Sequence, residues 1–323
     1  MVALALQNLL SPMVLFFALG LFAAFVRSDL SVPDAIARFL ALYLLISIGF
    51  RGGVEVNHQG LTWPLITTIG AGIFLSFMTP LVAFAVLRWI TRLSVTDAAA
   101  VAGHYGSISA VTFVAVTSVL NQSLVAYDGY MVAVAAAMET PAIFAALLIA
   151  RRRPQDGAKS ADSSFVREVA FNSSILVLVG AFIIGAITGA RGLTMLKPFL
   201  LDAFAGFLCL FLLDMGLVAG RGLKQGWRYL SPALASFAIM MPLLGAAIAA
   251  ALAKLIGLSV GSTAVLITLA ASASYIAVPA AMRLALPAAN PAIALTLSLG
   301  VTFPFNLTLG IPLYILIANK MAS

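Results

Sequence analysis

The stretch DAAAVAGHYGSISAVTFVAV, residues 97–116, carries the reading of the fold. It is apolar enough to lie in hydrocarbon, yet Gly106, Ser107 and Ser109 stand at its middle. Glycine and serine there are poor material for an uninterrupted helix. They suit two half-helices meeting at a break, the second presenting free N–H groups at its start. Such groups, with the helix dipole, bind an anion without a formal cation. A second stretch, ASASYIAVPAAMR at residues 271–283, has the same character, with Pro279 as a further breaker. Two such breaks crossing at mid-membrane predict one pocket. Gly106, Ser107, Ile108 and Ser109 line it from one side, and Ser272, Ala273 and Ser274 from the other. Small residues also permit close helix packing, so one stretch alone would not separate the two roles. Two at matching positions favour binding.

Outward from these stretches the chain reads as an all-α integral membrane protein. Of its 323 residues, 63% are hydrophobic and 9% charged, far below the roughly 25% charge of a soluble chain. The bilayer must therefore solvate most side chains. Apolar segments long enough to cross fall at about 9–27, 33–50, 62–88, 96–120, 128–150, 171–189, 197–219, 231–254, 259–286 and 290–318. That predicts ten transmembrane helices, with spans 4 and 9 discontinuous. The first span lacks the basic start and cleavage pattern of a signal peptide. With ten spans, 13 of the 18 Lys and Arg residues gather on one side. The positive-inside rule makes that side the cytoplasm, with both termini outside and the central loop inside. The same spread of charge explains the net +7 without nucleic acid.

The stretch RRRPQDGAKSADSSFVRE, residues 151–168, is the one long hydrophilic segment. Its composition predicts a mobile linker or a docking segment for a cytoplasmic regulator. It divides the chain into a first repeat at 1–150, a linker at 151–170 and a second repeat at 171–323. Ser94-Val95 recurs as Ser259-Val260, and residues 106–109 face residues 271–274 at the same offset. Thr79-Pro80 matches Met241-Pro242, and Thr140-Pro141 matches Phe303-Pro304. The glycine-bearing runs 48–53 and 215–220 match in the same order. Five spans per half place the second repeat upside down relative to the first, an architecture of secondary transporters.

Polar residues inside the spans are the remaining candidates, because each is costly in lipid without a partner. Glu139 precedes Pro141, whose ring leaves carbonyls free. With Thr112, and with Thr302 and Asn306 around Pro304, it forms a predicted set of hard oxygen ligands for sodium. Glu139 equally suits a protonatable group in a proton-coupled cycle. His104 is read either as a titrating gate or as a hydrogen-bonded structural histidine. Asp97 reads as part of a helix start, Asp214 as a carboxylate reaching solvent, and Arg283 as a snorkelling boundary residue. The two histidines are far apart and Cys209 is the single cysteine, so neither a tetrahedral metal site nor an internal disulfide is expected. No catalytic fingerprint is present, and no enzyme activity is expected.

Three runs carry a resemblance: SPMVLFFALGLFAAFVRSDLSVPDAIARFLALYLLISIGFRGG (residues 11–53), HYGSISAVTF (104–113) and METPAIFAALL (138–148). Together they resemble the sodium-dependent bicarbonate transporter family, the SbtA-like permeases of bacterial inner membranes. The resemblance implies ten helices in five-plus-five inverted repeats, a homotrimer, and import of bicarbonate with sodium by an elevator-like movement. It implies no cofactor beyond sodium as coupling ion. It places the anion at Gly106, Ser107 and Ser109 with Ser272 and Ser274, and the coupling ion near Glu139 and Asn306. Some members are regulated by a PII-like cytoplasmic protein. Two other readings stay open: a sodium- or proton-coupled carrier of another small organic anion, and a membrane anion sensor that does not transport.

Overall fold

The computed structural model describes residues 10–60, 62–151, 173–275, 278, 279, 282 and 286–322. Among them no strand occurs. The helices are α1 (Pro12–Phe25), α2 (Asp34–Gln59), α3 (Trp63–Ile90), α4 (Val95–Gly106), α5 (Ala110–Gln122), α6 (Met131–Ala137) and α7 (Pro141–Arg151). They continue with α8 (Ser173–Lys197), α9 (Phe204–Gly226), α10 (Pro232–Ile256) and α11 (Val260–Ala270). The last, α12 (Pro291–Ala322), runs to the end of the described chain. Eight helical segments are long and apolar enough to cross a bilayer: α2, α3, α4 with α5, α6 with α7, α8, α9, α10 and α12. The apolar helices α1 and α11 are shorter.

Local chemistry sets where these helices begin. Ser94, Ser109, Ser231 and Ser259 each accept a hydrogen bond from an N–H in the first turn they precede. Each serine thereby satisfies one of the donors a helix start leaves bare. Pro12, Pro64, Pro232 and Pro291 sit in first turns, where a missing N–H costs nothing. Replacing Ser259 by alanine should cost about 1 kcal/mol of stability. A thermal melt in detergent checks this, with the exposed Thr194→Ala as reference.

The breaks define the architecture. Between α4 and α5 the backbone leaves the helical path at Ser107, which is extended (φ −95, ψ 150). The second predicted break also appears: α11 stops at Ala270, and Val278, Pro279 and Met282 are helical again. Span 5 is interrupted too, at residues 138–140 between α6 and α7, just ahead of Pro141. Ser76 of α3 bridges that gap, its hydroxyl donating to Met138 O at 2.6 Å and accepting from Ala142 N at 3.2 Å. Around Pro304, α12 stays continuous by widening into π-helical turns at Ser298–Thr302 and Asn306–Gly310. A π turn accommodates the missing N–H without a break.

Packing puts α4–α5 at the centre. Nearly all its residues are buried, whereas α3, α8 and α10 leave most of theirs exposed, as lipid-facing helices do. Two helix pairs run parallel in close contact, α1 with α9 and α2 with α8. An alanine Cβ at Gly20 would fall 2.0 Å from Leu213 O, and one at Gly216 would fall 2.1 Å from Phe17 O. In the other pair, a Cβ at Gly185 would fall 2.1 Å from Phe50 O, and one at Gly53 would fall 1.9 Å from Phe182 O. Only glycine lets these backbones approach so closely.

Asp214 lies mid-way along α9 and is buried, so it does not reach solvent as the sequence suggested. The central hydrophilic loop, with any regulator docking on it, and Arg283 lie outside the described residues.

Candidate functional site

The two breaks meet. Ser109 N donates to Ser272 Oγ at 2.9 Å, and Ser274 N donates to His104 O at 2.7 Å. His104 Nδ1 lies 2.7 Å from Ser274 O. A carbonyl only accepts, so the proton sits on Nδ1. His104 is buried here as a strut between the breaks, which is the structural of its two sequence readings. Ser107, Ile108, Ser109, Ser272, Ala273 and Ser274 are all buried, and Gly106 packs against Pro80 of α3.

A cavity of about 30 Å³ opens beside this crossing. That exceeds the roughly 10–15 Å³ one water requires and suits an ion of a few heavy atoms. Ser109, Ala110, Val111, Glu139, Ser274 and Tyr275 line it on the polar side, with an apolar wall from α2 and Phe211. Ala110 and Val111 begin α5. Helix geometry leaves their N–H groups without intrahelical acceptors, while Ser109 Oγ already accepts from Thr112 N at 3.2 Å. The start of α5 therefore points free donors and the positive end of its dipole at the cavity.

Tyr275 is a lining residue that sequence reading missed. Its hydroxyl is buried beside Ser109 without a well-formed hydrogen bond. A buried hydroxyl left unpaired costs about 1–3 kcal/mol, which a ligand oxygen at this position would offset. The signal was present, since Tyr275 directly follows Ser274 in the ASASY run.

Glu139 stands on the same cavity, and Ser107 Oγ donates to its Oε2 at 2.8 Å. Carboxylate and helix start together make a site of mixed sign: an anion is drawn to the N–H groups, a cation to Glu139. The other predicted cation ligands divide from it in their bonding. Asn306 Nδ2 donates to Ala271 O and its Oδ1 accepts from Tyr314, both at 2.8 Å. Thr302 Oγ1 donates to Ala238 O at 2.7 Å, so Tyr105, 2.7 Å away, is the donor to Thr302. Thr112 is buried on α5 and meets Ser109 through its backbone. Glu139 thus joins the first break, while Asn306 joins the second through Ala271. Among the described residues no cluster of three His, Cys, Asp or Glu occurs.

Asp97 combines two roles. It is a first-turn residue of α4 held by Ser94, and its Oδ1 accepts from Asn290 N at 2.8 Å. Asp128 does the mirror task before α11, accepting from Ser262 Oγ at 2.6 Å.

A sequence model of the Na+-dependent bicarbonate transporter superfamily matches residues 12–319, nearly the whole chain. The chain belongs to that superfamily. The protein is accordingly a multi-pass membrane transporter and not an enzyme. The two paired breaks fall inside the matched region, as do Glu139 and Asn306. No curated protein matches the sequence.

Proposed function

We propose that the protein imports bicarbonate together with sodium across a bacterial inner membrane, by alternating access of the elevator kind. The observation that carries this reading is the cavity where free N–H groups of α5 and the Glu139 carboxylate face one space. A lone anion beside Glu139 is repelled, and a lone cation beside the α5 start is repelled. Bound together they cancel, which couples the two ions electrostatically. An anion entering against an inside-negative potential costs about 2.3 kcal/mol per 100 mV, and one accompanying sodium removes that cost.

Ten spans in two inverted repeats form part of the proposal. The close contacts support it, because they occur in matched pairs. Gly20 against Leu213 corresponds to Gly185 against Phe50, and Gly216 against Phe17 corresponds to Gly53 against Phe182. This register sits one helical turn away from the glycine runs matched in sequence. The serine caps Ser94 and Ser259 and the in-helix prolines Pro80 and Pro242 agree with it. The proposed orientation, both termini outside, rests on the distribution of Lys and Arg. Homotrimeric assembly and a PII-like regulator rest on resemblance alone.

Uptake of labelled bicarbonate into proteoliposomes tests the function. An inward sodium gradient should drive accumulation, and choline in place of sodium should remove it. Ser107→Ala deletes a hydrogen bond to a charged group worth roughly 1.5–3 kcal/mol, so uptake should fall by about tenfold or more. Accumulation that ignores sodium would refute the coupling, and no accumulation by folded protein would refute the substrate.

A further inference from the structure

A second cavity, about 260 Å³, lies farther along the groove between α2 and α5. Ile48 borders both cavities. Beyond it the lining turns polar, with Arg51 and Glu55 from α2 and Thr117, Ser118 and Asn121 from α5. Tyr127 and Phe204 complete the walls. Arg51 is half-buried and Asn121 is exposed, so the cavity leads from the surface to the apolar neck at Ile48. The inner cavity follows directly, at Ser109 and Glu139. A guanidinium held over a water-sized passage in this surrounding is costly to leave unused. It presents several N–H donors to any small oxyanion on the path.

The lining is specific to one half. By the register of the close glycine contacts, Phe50 corresponds to Leu213 and Gly53 to Gly216, which makes Asp214 the counterpart of Arg51. The counterpart bears the opposite charge, so the arginine is no product of the repeat. It belongs to the membrane face where α2 and α5 end, away from Arg88 and Arg92.

We infer that this cavity is an outer capture station, where Arg51, with Thr117, Ser118 and Asn121, receives a small monovalent oxyanion before it passes Ile48 to the Ser109–Ser274 crossing. The inference rests on the transport reading for the anion's onward route and on the Lys/Arg orientation for the word outer. Arg51 raises local anion concentration, and Glu55 tempers it so that the anion is released inward.

Charge-selective labelling tests it without assuming a substrate. Cys209 is the single cysteine, so Asn121→Cys in a Cys209→Ala background gives one reactive thiol at the mouth. Anionic and cationic membrane-impermeant methanethiosulfonates are applied from outside intact cells, and the ratio of their rates is taken. Adding Arg51→Gln should lower the anionic preference by about fivefold or more, whereas Arg51→Lys should keep most of it. Glu55→Gln should shift the ratio the opposite way. In proteoliposomes, Arg51→Gln should raise the half-saturating external bicarbonate by about fivefold with maximal uptake within about twofold. A ratio unmoved by Arg51→Gln, or labelling only from the cytoplasmic face, would overturn the station. So would unchanged half-saturation in an active transporter. If wild-type vesicles accumulate no bicarbonate, the transport reading fails, and the labelling ratio still decides the station.

Discussion

Glu139→Gln should abolish sodium-driven accumulation while leaving the protein folded. Glutamine keeps the size of the side chain and still accepts from Ser107, so the 2.8 Å contact survives in a neutral form. What it removes is the charge that balances a cation in a buried cavity. Losing one partner of a buried charge pair costs about 2–5 kcal/mol, which corresponds to roughly 30-fold or more in coupled binding. Initial rates of uptake across a sodium titration give the result. The half-saturating sodium concentration should rise beyond the measurable range, with no compensating rise in maximal rate. Glu139→Asp, which keeps the charge but withdraws it by one methylene, should fall between. Wild-type sodium dependence in Glu139→Gln would show that the carboxylate plays no part in coupling, and the second-break cluster of Thr302 and Asn306 would then take its place.

The second large effect is on assembly of the helix pairs. Gly53→Ala and Gly216→Ala each drive a methyl group into a backbone carbonyl, at 1.9 Å from Phe182 O and 2.1 Å from Phe17 O. A carbonyl oxygen in a helix cannot rotate aside as a side chain can, so the helices must separate. Overpacking of this kind costs typically about 1–3 kcal/mol and occasionally more, and a neighbouring contact is lost along the seam as well. The expected readout is a fall in melting temperature of about 5 °C or more in detergent. Gly70→Ala in α3, with nothing within 4 Å of its added methyl, is the matched control and should stay within about 1 kcal/mol of wild type. The two variants lie in separate helix pairs, α2 with α8 and α1 with α9. Comparable losses from both would support their equivalence in an inverted repeat. A melt of Gly53→Ala equal to that of Gly70→Ala would show that the α2–α8 seam is looser than described.

Hydropathy and small-residue placement made the membrane class and the break in residues 97–116 legible, because both are local properties. Lipid demands long apolar runs, and Gly-Ser sequences cannot hold a helix through hydrocarbon without help. The same reasoning placed the second break at Ser272 to Ser274 and marked Glu139, beside Pro141, as a polar residue with a purpose. Caps such as Ser94 and Ser259 were equally local, since each serves an N–H three residues away. Partners distant in the chain were beyond that reach. Nothing near His104 in sequence says that Ser274 holds it, or that Ser107 donates to Glu139. Asp214 looked solvent-reaching because burial depends on what α9 packs against. Tyr275 looked like an ordinary aromatic until its hydroxyl was found on the cavity wall. The glycine register was also decided in three dimensions, because close approach of two helices is a property of the pair. By itself, then, the sequence determined the solvent, the breaks and the residue types able to bind ions. Tertiary structure alone decided which of those residues share one space, since that depends on the crossing of segments some 165 residues apart.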